Sequence, residues 1–397
     1  MPTPTEIRVS VDIGYAQHSV AIGLSSGECV AEFEIGHRPE GFAEFFERIE
    51  SIRCRHGGAV SVAMEGFNGF ARPLDRLVQD RGYRLLNINN LKLARFKEIF
   101  PAAAKTDRID ARKGLELMQL GEILPVSHRV LQPVWAAPRV NDELKRLTRR
   151  RRALVDERTR VLSRLQTDLQ AGCPGLLEIT GRAGNRWFLN FITRADDLTK
   201  LARLRRSTLL KIPAVGERYA DRIQAWQRGA MFGSDIDWVG PMIREDARRI
   251  LDLGVAIEAL NARCQVLMPE SDIALRLDSI PGFALICSAE LAGEIGTLDR
   301  FAREASLAVY LGMATLDNSS GTKTGSKSPR HVNRRAKAAM MVGVDKHRKQ
   351  VAQSQRYYEK KRLEGKTHNQ AIRALGRHLC RVIYNMIRDN RDYKIPK

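Results

Sequence analysis

The hydrophobic pattern of the chain changes once, at about residue 125. Before that point, short segments of alternating or continuous apolar character follow one another with segments of helical spacing, whereas only helical spacing recurs after it. The predicted strands cover residues 7–14, 20–24, 29–35, 59–64 and 84–88, and the predicted helices cover residues 41–52, 72–80 and 110–120. The order is three strands, helix, strand, helix, strand, helix. This order predicts a mixed α/β sheet covered by helices.

The rest of the chain is predicted to be helical. A proline-containing linker over 126–139 precedes a long helix that begins near Val140, and a second long helix is predicted over 245–267. Apolar residues of the second helix recur at spacings of three and four, which is typical of a coiled coil: Ile250, Leu253, Ile257, Leu260, Cys264 and Leu267. We expect an antiparallel helix pair or a dimer contact, with residues 172–244 inserted at its end. An ordinary helical bundle fits the same pattern equally well.

The length predicts several domains, because 397 residues exceed what one hydrophobic core usually organises. The predicted segments are 1–125 (mixed sheet), 126–139 (linker), 140–270 (coiled-coil arm) and 271–397 (helical domain).

The chain is strongly basic, with 66 Lys and Arg against 46 Asp and Glu and a net charge of +20. Such a charge favours binding to a polyanion, and nucleic acid is the commonest polyanion. The region 323–366 alone carries fourteen Lys or Arg and three acidic residues. The run Arg149-Arg150-Arg151-Arg152 is expected to cover the solvent side of the first long helix.

Several classes of protein do not fit the sequence. No apolar run is long enough to span a bilayer, and the N-terminus has no basic-then-apolar signal segment. Six cysteines without paired spacing suit a reducing compartment and indicate neither a zinc site nor a disulfide framework. We therefore expect a cytoplasmic protein without a membrane partner.

Four carboxylates occupy positions from which they can meet. Asp12 lies near the end of the first predicted strand and Glu65 ends the fourth, while Asp107 and Asp110 are three residues apart at a helix start. Four converging carboxylates would repel one another without a cation, and two Mg²⁺ ions would relieve this repulsion and bind a phosphodiester. Each acid taken alone fits a solvated or helix-capping residue better.

Two segments have the pattern of a helix-hairpin-helix, in which backbone N–H groups at a helix start bind a DNA phosphate. They are residues 211–216 and 277–283, and the second is the better match. A plain helix start with Pro near the first turn is an equally good interpretation.

These features resemble a known family. The sequence is similar to bacterial insertion-sequence transposases that have a DEDD, RuvC-like domain and act as RNA-guided recombinases. The motifs that carry the resemblance are Asp12-Ile13-Gly14, Glu65-Gly66, residues 105–111, Ile280-Pro281-Gly282, Ala289-Glu290-Leu291, Glu294-Ile295-Gly296, Leu311-Gly312-Met313 and Ser319-Ser320-Gly321. The resemblance implies an RNase H-like fold, a coiled-coil arm and a helical transposase domain with a catalytic serine.

The resemblance also implies roles for residues and partners. Asp12, Glu65, Asp107 and Asp110 match the acids that bind Mg²⁺, and Ser320 matches the serine nucleophile, with Ser319 as its neighbouring alternative. The family commonly has Pro, Arg and Tyr before this serine, whereas residues 314–318 here read Ala-Thr-Leu-Asp-Asn. The implied partners are donor and target DNA, a structured guide RNA from the same element, and further copies of the chain in a dimer or tetramer. The candidate nucleic-acid contacts are Arg149, Arg150, Arg151, Arg152, Lys323, Lys327, Arg330, Arg334 and Arg335.

Three other functions compete with this one. An RNase H-like nuclease or junction resolvase would use the same four acids and would not need Ser320. A sugar-kinase-like ATPase would explain Asp12-Ile13-Gly14, but no second Gly-rich phosphate loop follows. In a non-enzymatic nucleic-acid-binding protein the acids would be incidental.

Overall fold

The computed structural model of the protein describes residues 6–65, 69–98, 107–123, 130–318, 325–327, 329 and 332–395. The chain divides into two compact units, Met1–Ala136 and Ala137–Lys397. The division falls within the segment predicted as a linker, and residues 140–397 all belong to the second unit.

The first unit contains a six-stranded mixed sheet. The strands are β1 (Glu6–Ile13), β2 (Gln17–Leu24), β3 (Cys29–Gly36), β4 (Ala59–Glu65), β5 (Arg84–Ile88) and β6 (Leu131–Pro133). Their order is β3-β2-β1-β4-β5-β6. The pairs β1/β4 and β4/β5 are parallel, and the pairs β1/β2, β2/β3 and β5/β6 are antiparallel. The sheet confirms all five predicted strands and the predicted mixture of directions.

Helices cover both faces of this sheet. They are α1 (Pro39–His56), α2 (Arg72–Asp80), α3 (Asn90–Lys97) and α4 (Asp107–Ile123). On one face Val9 and Val11 pack against Phe45 of α1 and Leu74 of α2 in a continuous core. On the other face Ala63 packs with residues of α4. The central strands β1, β2 and β4 are therefore buried on both faces, as expected of strands between helical layers.

Two elements of this unit differ from the sequence prediction. Strand β6 lies inside the predicted linker, because Gln132 and its neighbours pair with β5 at the edge of the sheet. Pro133 has no N–H to donate, so an edge strand is the place in a sheet where it is tolerated. Helix α3, at Asn90–Lys97, was not predicted.

Two long helices dominate the second unit, α5 (Arg139–Gly172) and α9 (Ile236–Leu267). They run antiparallel, because ion pairs join early residues of α5 to late residues of α9 and late residues of α5 to early residues of α9. The pairs are Glu143 with Arg263, Glu157 with Arg249, and Arg164 with Asp246. The predicted antiparallel pair within one chain is thus confirmed, and its coiled-coil character stays a prediction.

The predicted start of the second long helix was wrong. Helix α9 begins at Ile236, not near Glu245, and it contains Pro241. The missing N–H of a proline this close to a helix start costs one hydrogen bond. Burial of Ile236 and Ile243 in the neighbouring core accompanies the earlier start. The insertion between the helices is therefore 173–235 instead of 172–244.

The insertion is a small helical module whose core, built around Trp187, Phe188 and Phe191, is shared with the adjoining ends of α5 and α9. Its α-helices are α6 (Arg186–Ile192), α7 (Arg206–Leu209) and α8 (Glu217–Gln227).

The remainder of the second unit is a helical layer with one short hairpin. The helices are α10 (Asp272–Asp278), α11 (Leu285–Ile295), α12 (Glu304–Tyr310), α13 (Arg334–Arg348), α14 (Ala352–Leu363) and α15 (His368–Arg388). Strands β7 (Leu316–Asp317) and β8 (Ser326–Lys327) form the hairpin. All six cysteines of the protein are unpaired thiols, as predicted.

Candidate functional site

The ends of β1 and β4 bring two of the predicted acids to one edge of the sheet. These strands are parallel, and their last paired residues are Val11 and Met64. The residues that follow, Asp12 and Glu65, therefore lie side by side at the carboxyl ends of their strands. Both face away from the core that buries Val11 and Met64, because side chains alternate along a strand.

Helix α4 packs on the face to which Asp12 and Glu65 belong. Gly114 approaches β1 so closely that a Cβ atom there would lie less than 3.0 Å from Ser10 Oγ. Ala111, earlier in α4, packs with Ala21, which pairs with Ser10, whereas Gln119, later in α4, approaches Gly23, which pairs with Arg8. The helix therefore runs opposite to β1, and its N-terminal end lies toward Asp12.

The first turn of α4 carries the other two acids. Asp110 precedes Gly114 by four residues and so shares its face of the helix, and Asp107 begins the helix. The positive end of the helix dipole stabilises carboxylates at this position. Arg108 and Arg112 each pair with Glu32 of β3, at 2.7 and 3.0 Å, which ties the same turns to the sheet. Asp12 and Glu65 thus lie at neighbouring strand ends, and Asp107 and Asp110 lie in the first turn of the helix that packs on the same face of the sheet.

The acids are of the type that binds Mg²⁺, since oxygen ligands are its preferred donors. Within the described part of the chain, however, no three His, Cys, Asp or Glu side chains form a group that could hold a metal ion. The types of these residues and their backbone positions fit a magnesium site. In the described residues their side chains do not form a ligand cluster.

Two exposed aromatic side chains lie beside these strand ends and were not predicted. Tyr15 follows β1 and is 80% exposed, and Phe70 follows β4 and is 60% exposed. Their rings meet edge to face with 5.5 Å between centroids. Exposed rings of this kind can stack on unpaired nucleobases. The sequence signal was an aromatic residue shortly after each acid-bearing strand.

The predicted nucleophile follows the first strand of the β7/β8 hairpin. Asn318 N–H donates to the Gly325 carbonyl at 2.9 Å, so the segment between them begins and ends at one hydrogen-bonded pair. Ser319 and Ser320 belong to that segment and lie outside the described residues, as do Lys323 and Arg330. Lys327 of β8 is described and exposed.

The chain enters α13 after this hairpin through a buried polar network. Asn333 caps α13 with its side-chain oxygen and donates from Nδ2 to Glu294 Oε2 at 2.7 Å. Arg149 donates to both Glu294 oxygens, at 2.6 and 2.8 Å. Burial opposes ionisation of Glu294, but the bonds from Arg149 and Asn333 outweigh it and hold the pKa of this carboxyl below its usual value. Glu294 is therefore a buried anion that joins α11, α5 and the start of α13.

The four arginines of the run 149–152 differ in their surroundings, and the expectation that all of them cover the solvent side was wrong. Arg149 binds Glu294, Arg151 donates to Asn261 at 2.6 Å, and Arg152 pairs with Glu290 at 3.3 Å. Of the four, Arg150 is the exposed one. On α13, Arg334 and Arg335 are both exposed.

Both predicted hairpin segments connect helices, residues 211–216 before α8 and residues 279–284 between α10 and α11. Gly282 has a φ of 93°, and a Cβ atom there would lie less than 3.0 Å from the backbone of His347 in α13. Pro281 accepts a hydrogen bond from His347 Nδ1 at 2.8 Å. The backbone of the second segment thus packs closely against α13.

Comparison with known proteins places these features in a family. A sequence model of transposases of the IS110 DEDD type matches residues 9–174, which include the four acids. A second model, of transposases of the IS116/IS110/IS902 family, matches residues 274–359, which include Ser320.

Relatives align over almost the whole chain. The chain is 24% identical to the 43.6 kDa protein of insertion element IS110 from Streptomyces coelicolor, over 97% of this chain and 95% of that protein. It is 24% identical to the 44.8 kDa protein of IS116 from Streptomyces clavuligerus, with the same coverage. It is 26% identical to the 42 kDa protein of IS900 from Mycobacterium paratuberculosis, over 96% of each.

These matches indicate a DNA-processing enzyme of the transposase class. The chain belongs to the IS110 family of insertion-sequence transposases. Over the residues described, no helix combines the length and apolar character needed to cross a bilayer.

Proposed function

We propose that the protein is an RNA-guided DNA recombinase that moves its insertion sequence by cutting and rejoining DNA through a covalent phosphoserine. The observation that carries the proposal is the packing of α4 across β1. It directs Asp107 and Asp110 toward the strand ends that bear Asp12 and Glu65. The strand order, with β2 alone antiparallel among the first five strands, supports an RNase H-like fold for this unit.

Asp12, Glu65, Asp107 and Asp110 would hold two Mg²⁺ ions. Bound there, Mg²⁺ would neutralise charge on the phosphate under attack. Two strand ends and one helix turn set the backbone positions of these carboxylates, and binding of the ions would draw the side chains together.

The serine supplies the covalent step. Ser320 Oγ forms a bond to the DNA phosphorus, the bond from phosphorus to one deoxyribose oxygen breaks, and the departing oxygen takes up the proton that the serine loses. The reverse attack by a DNA hydroxyl releases the serine. The phosphodiester count is unchanged, so the strands are rejoined without a nucleotide cofactor.

The acids and the serine belong to different compact units. We place them in a composite site assembled between protomers of an oligomer. We assign recognition of the DNA sequence to a structured RNA of the same element. The net charge of +20 favours binding of both DNA and RNA.

The test compares Ser320→Ala with the neighbouring variant Ser319→Ala. Each full-length protein is supplied with Mg²⁺, donor and target DNA, and the RNA that copurifies from the native host. End-labelled DNA is then resolved on a denaturing gel. We expect a protease-sensitive protein–DNA adduct with the wild type and with Ser319→Ala, none with Ser320→Ala, and none with Asp12→Asn.

An adduct that disappears with Ser319→Ala would move the nucleophile by one residue. Metal-dependent cleavage without any adduct, unchanged in Ser320→Ala, would favour the nuclease or junction resolvase. Purified protein without any bound RNA, active on its own, would refute the guided mechanism.

A further inference from the structure

A cleft in the second unit is lined by basic side chains that none of the motifs accounts for. It has a volume of about 800 Å³ and lies between α14, α15 and the residues that follow α12. Its cations are Lys361, Lys366, Arg373 and Arg377, and the acidic residue of its lining is Glu364. A concave site of this size accommodates a nucleotide-sized ligand.

The side chains of the cleft are held in place by their neighbours. Lys361 Nζ pairs with Glu364 at 2.8 Å and lies 5.4 Å from the centre of the Tyr357 ring. Tyr357 Oη and His378 Nε2 share a hydrogen bond of 2.9 Å. Arg377 pairs with Glu304 at 3.1 Å. Pre-positioned cations bind phosphates with less loss of side-chain entropy than mobile ones.

The position of the cleft in the chain connects it to the serine hairpin. Met313, Ala314 and Thr315 form part of its wall, and β7 begins at the next residue, Leu316. Ser320 is five residues beyond Thr315, within about 17 Å for even a fully extended chain. The wall of the cleft and the segment that contains the predicted nucleophile are thus separated by only a few residues of the chain.

We propose that this cleft binds the sugar-phosphate backbone of the DNA strand that Ser320 attacks. The inference rests on the proposed function for its ligand, because a transposase acts on DNA. The cations neutralise two or more successive phosphates, and the Tyr357 ring offers an apolar face to a sugar or an unstacked base. The cleft therefore positions the strand without reading its sequence.

Two double variants of the full-length protein test the assignment. The cleft variant is Lys361→Gln with Lys366→Gln. The matched control is Arg356→Gln with Lys360→Gln, which removes the same charge from exposed positions of α14 that do not line the cleft. Binding to a fluorescein-labelled DNA duplex of 30 base pairs and arbitrary sequence is measured by anisotropy across a series of KCl concentrations.

Loss of two phosphate contacts makes the log–log salt slope shallower by about 1.8, and it lowers the affinity at 50 mM salt by roughly a hundredfold when the affinities converge near 1 M salt. We expect this in the cleft variant and a change within about twofold in the control. Lys366→Arg, which keeps the charge, should retain wild-type affinity. Equal weakening in both double variants, or no weakening in the cleft variant, would overturn the assignment.

A labelled RNA hairpin serves as the second probe. If the cleft variant loses affinity for RNA and keeps it for DNA, the cleft is an RNA site and the inference is wrong. The binding result is separate from the covalent chemistry. A missing Ser320 adduct with an intact cleft effect would refute the proposed function alone, and an adduct formed with full affinity by the cleft variant would refute the cleft alone.

Discussion

Arg149 and Arg150 are neighbours in the sequence but have different surroundings. Arg149 has a side chain 38% exposed and is bound through two hydrogen bonds to Glu294, which is completely buried. Arg150 is exposed. The one-residue step turns the side chain by about 100° around the helix, so the two cannot share a face.

Replacing these two arginines by leucine should separate their roles. Arg149→Leu leaves the Glu294 carboxylate buried with Asn333 and without its cation, and we expect a loss of about 2 kcal/mol in the free energy of unfolding, discounted for the partial exposure of Arg149. Arg150→Leu should change this free energy by no more than about 0.5 kcal/mol. Urea unfolding of both variants measures the difference, and equal losses would show that the Arg149–Glu294 pair adds nothing.

Two carboxyls of α11 should respond to pH in opposite directions. Burial raises the pKa of Glu290, with Arg152 only partly compensating. For Glu294 the bonds from Arg149 and Asn333 outweigh burial and lower the pKa. Glu294 therefore stabilises the fold above the ordinary Glu pKa of about 4.3, and this stabilisation is lost as the pH falls through its folded-state pKa. The contribution of Glu290 is present below about pH 4.3 and is lost as the pH rises through its folded-state pKa.

Glutamine substitutions make this difference measurable. At pH 7 we expect Glu294→Gln to destabilise the protein and Glu290→Gln to be neutral or stabilising. The difference for Glu290→Gln should shrink as the pH falls toward about 4.3, and the difference for Glu294→Gln should shrink as the pH falls below about 4.3. Unfolding midpoints in urea, taken between pH 7 and pH 3.5, give the comparison. Destabilisation of the same size by both substitutions at pH 7 would contradict the assigned pKa directions.

At the scale of the elements, the packing of α4 on β1 decides where the acids lie. Gly114 and Ser10 touch across this contact, and a Cβ atom at residue 114 would meet Ser10 Oγ while lying 3.4 Å from Ser10 Cβ. Removing the hydroxyl thus relieves the severe clash, and the Ile88 side chain, whose Cδ1 would lie 3.3 Å from the new methyl group, needs only a small shift. Substitution of Gly114 should therefore displace α4, and a second substitution at Ser10 should restore its position.

We expect Gly114→Ala to reduce Mg²⁺-dependent DNA cleavage by about tenfold, because small displacements of positioning elements are costly to reactions at fixed geometry. Ser10→Ala alone should cleave like the wild type, and the double variant should recover most of the lost activity. Its stability should not fall, since alanine favours a helix over glycine by about 1 kcal/mol. Cleavage is followed on labelled DNA, and wild-type activity of Gly114→Ala would show that this contact does not place the acids.

The elements also show which parts of the fold a sequence can predict. Alternation and helical spacing found all five main strands and the antiparallel pair α5/α9, since both signals come from burial within one element. The three-residue strand β6 and the first turns of α9 were not predicted, because each depends on contacts with another part of the chain. Gln132 of β6 pairs with β5, and Ile243 of α9 packs in the core of the insertion. The neighbouring positions of Asp12 and Glu65 were predictable because parallel strand ends meet at one edge, and their role as metal ligands stays a prediction. The partners of Arg149, Arg151 and Arg152 were not, because they come from distant segments.

At the scale of the whole molecule, the separation of the acids and the serine into two compact units bears on how the enzyme assembles. A site built from two units of different protomers is active only in an oligomer. Such an arrangement delays chemistry until the DNA partners and the protein copies are together. It also predicts that two different inactive chains can restore activity when they are mixed.

Two inactive full-length variants, Asp12→Asn and Ser320→Ala, should complement one another when mixed. In a composite site the acids come from one protomer and the serine from the other, so a mixed dimer contains one complete site and one site that lacks both. Random mixing in equal amounts should therefore restore about a quarter of the wild-type sites. The restored adduct should be found on the Asp12→Asn chain, because that chain retains Ser320, and a size tag on one variant identifies it on a denaturing gel. If each protomer instead used its own acids and serine, no mixture would form an adduct, and the composite arrangement would be rejected while the roles of Asp12 and Ser320 remained.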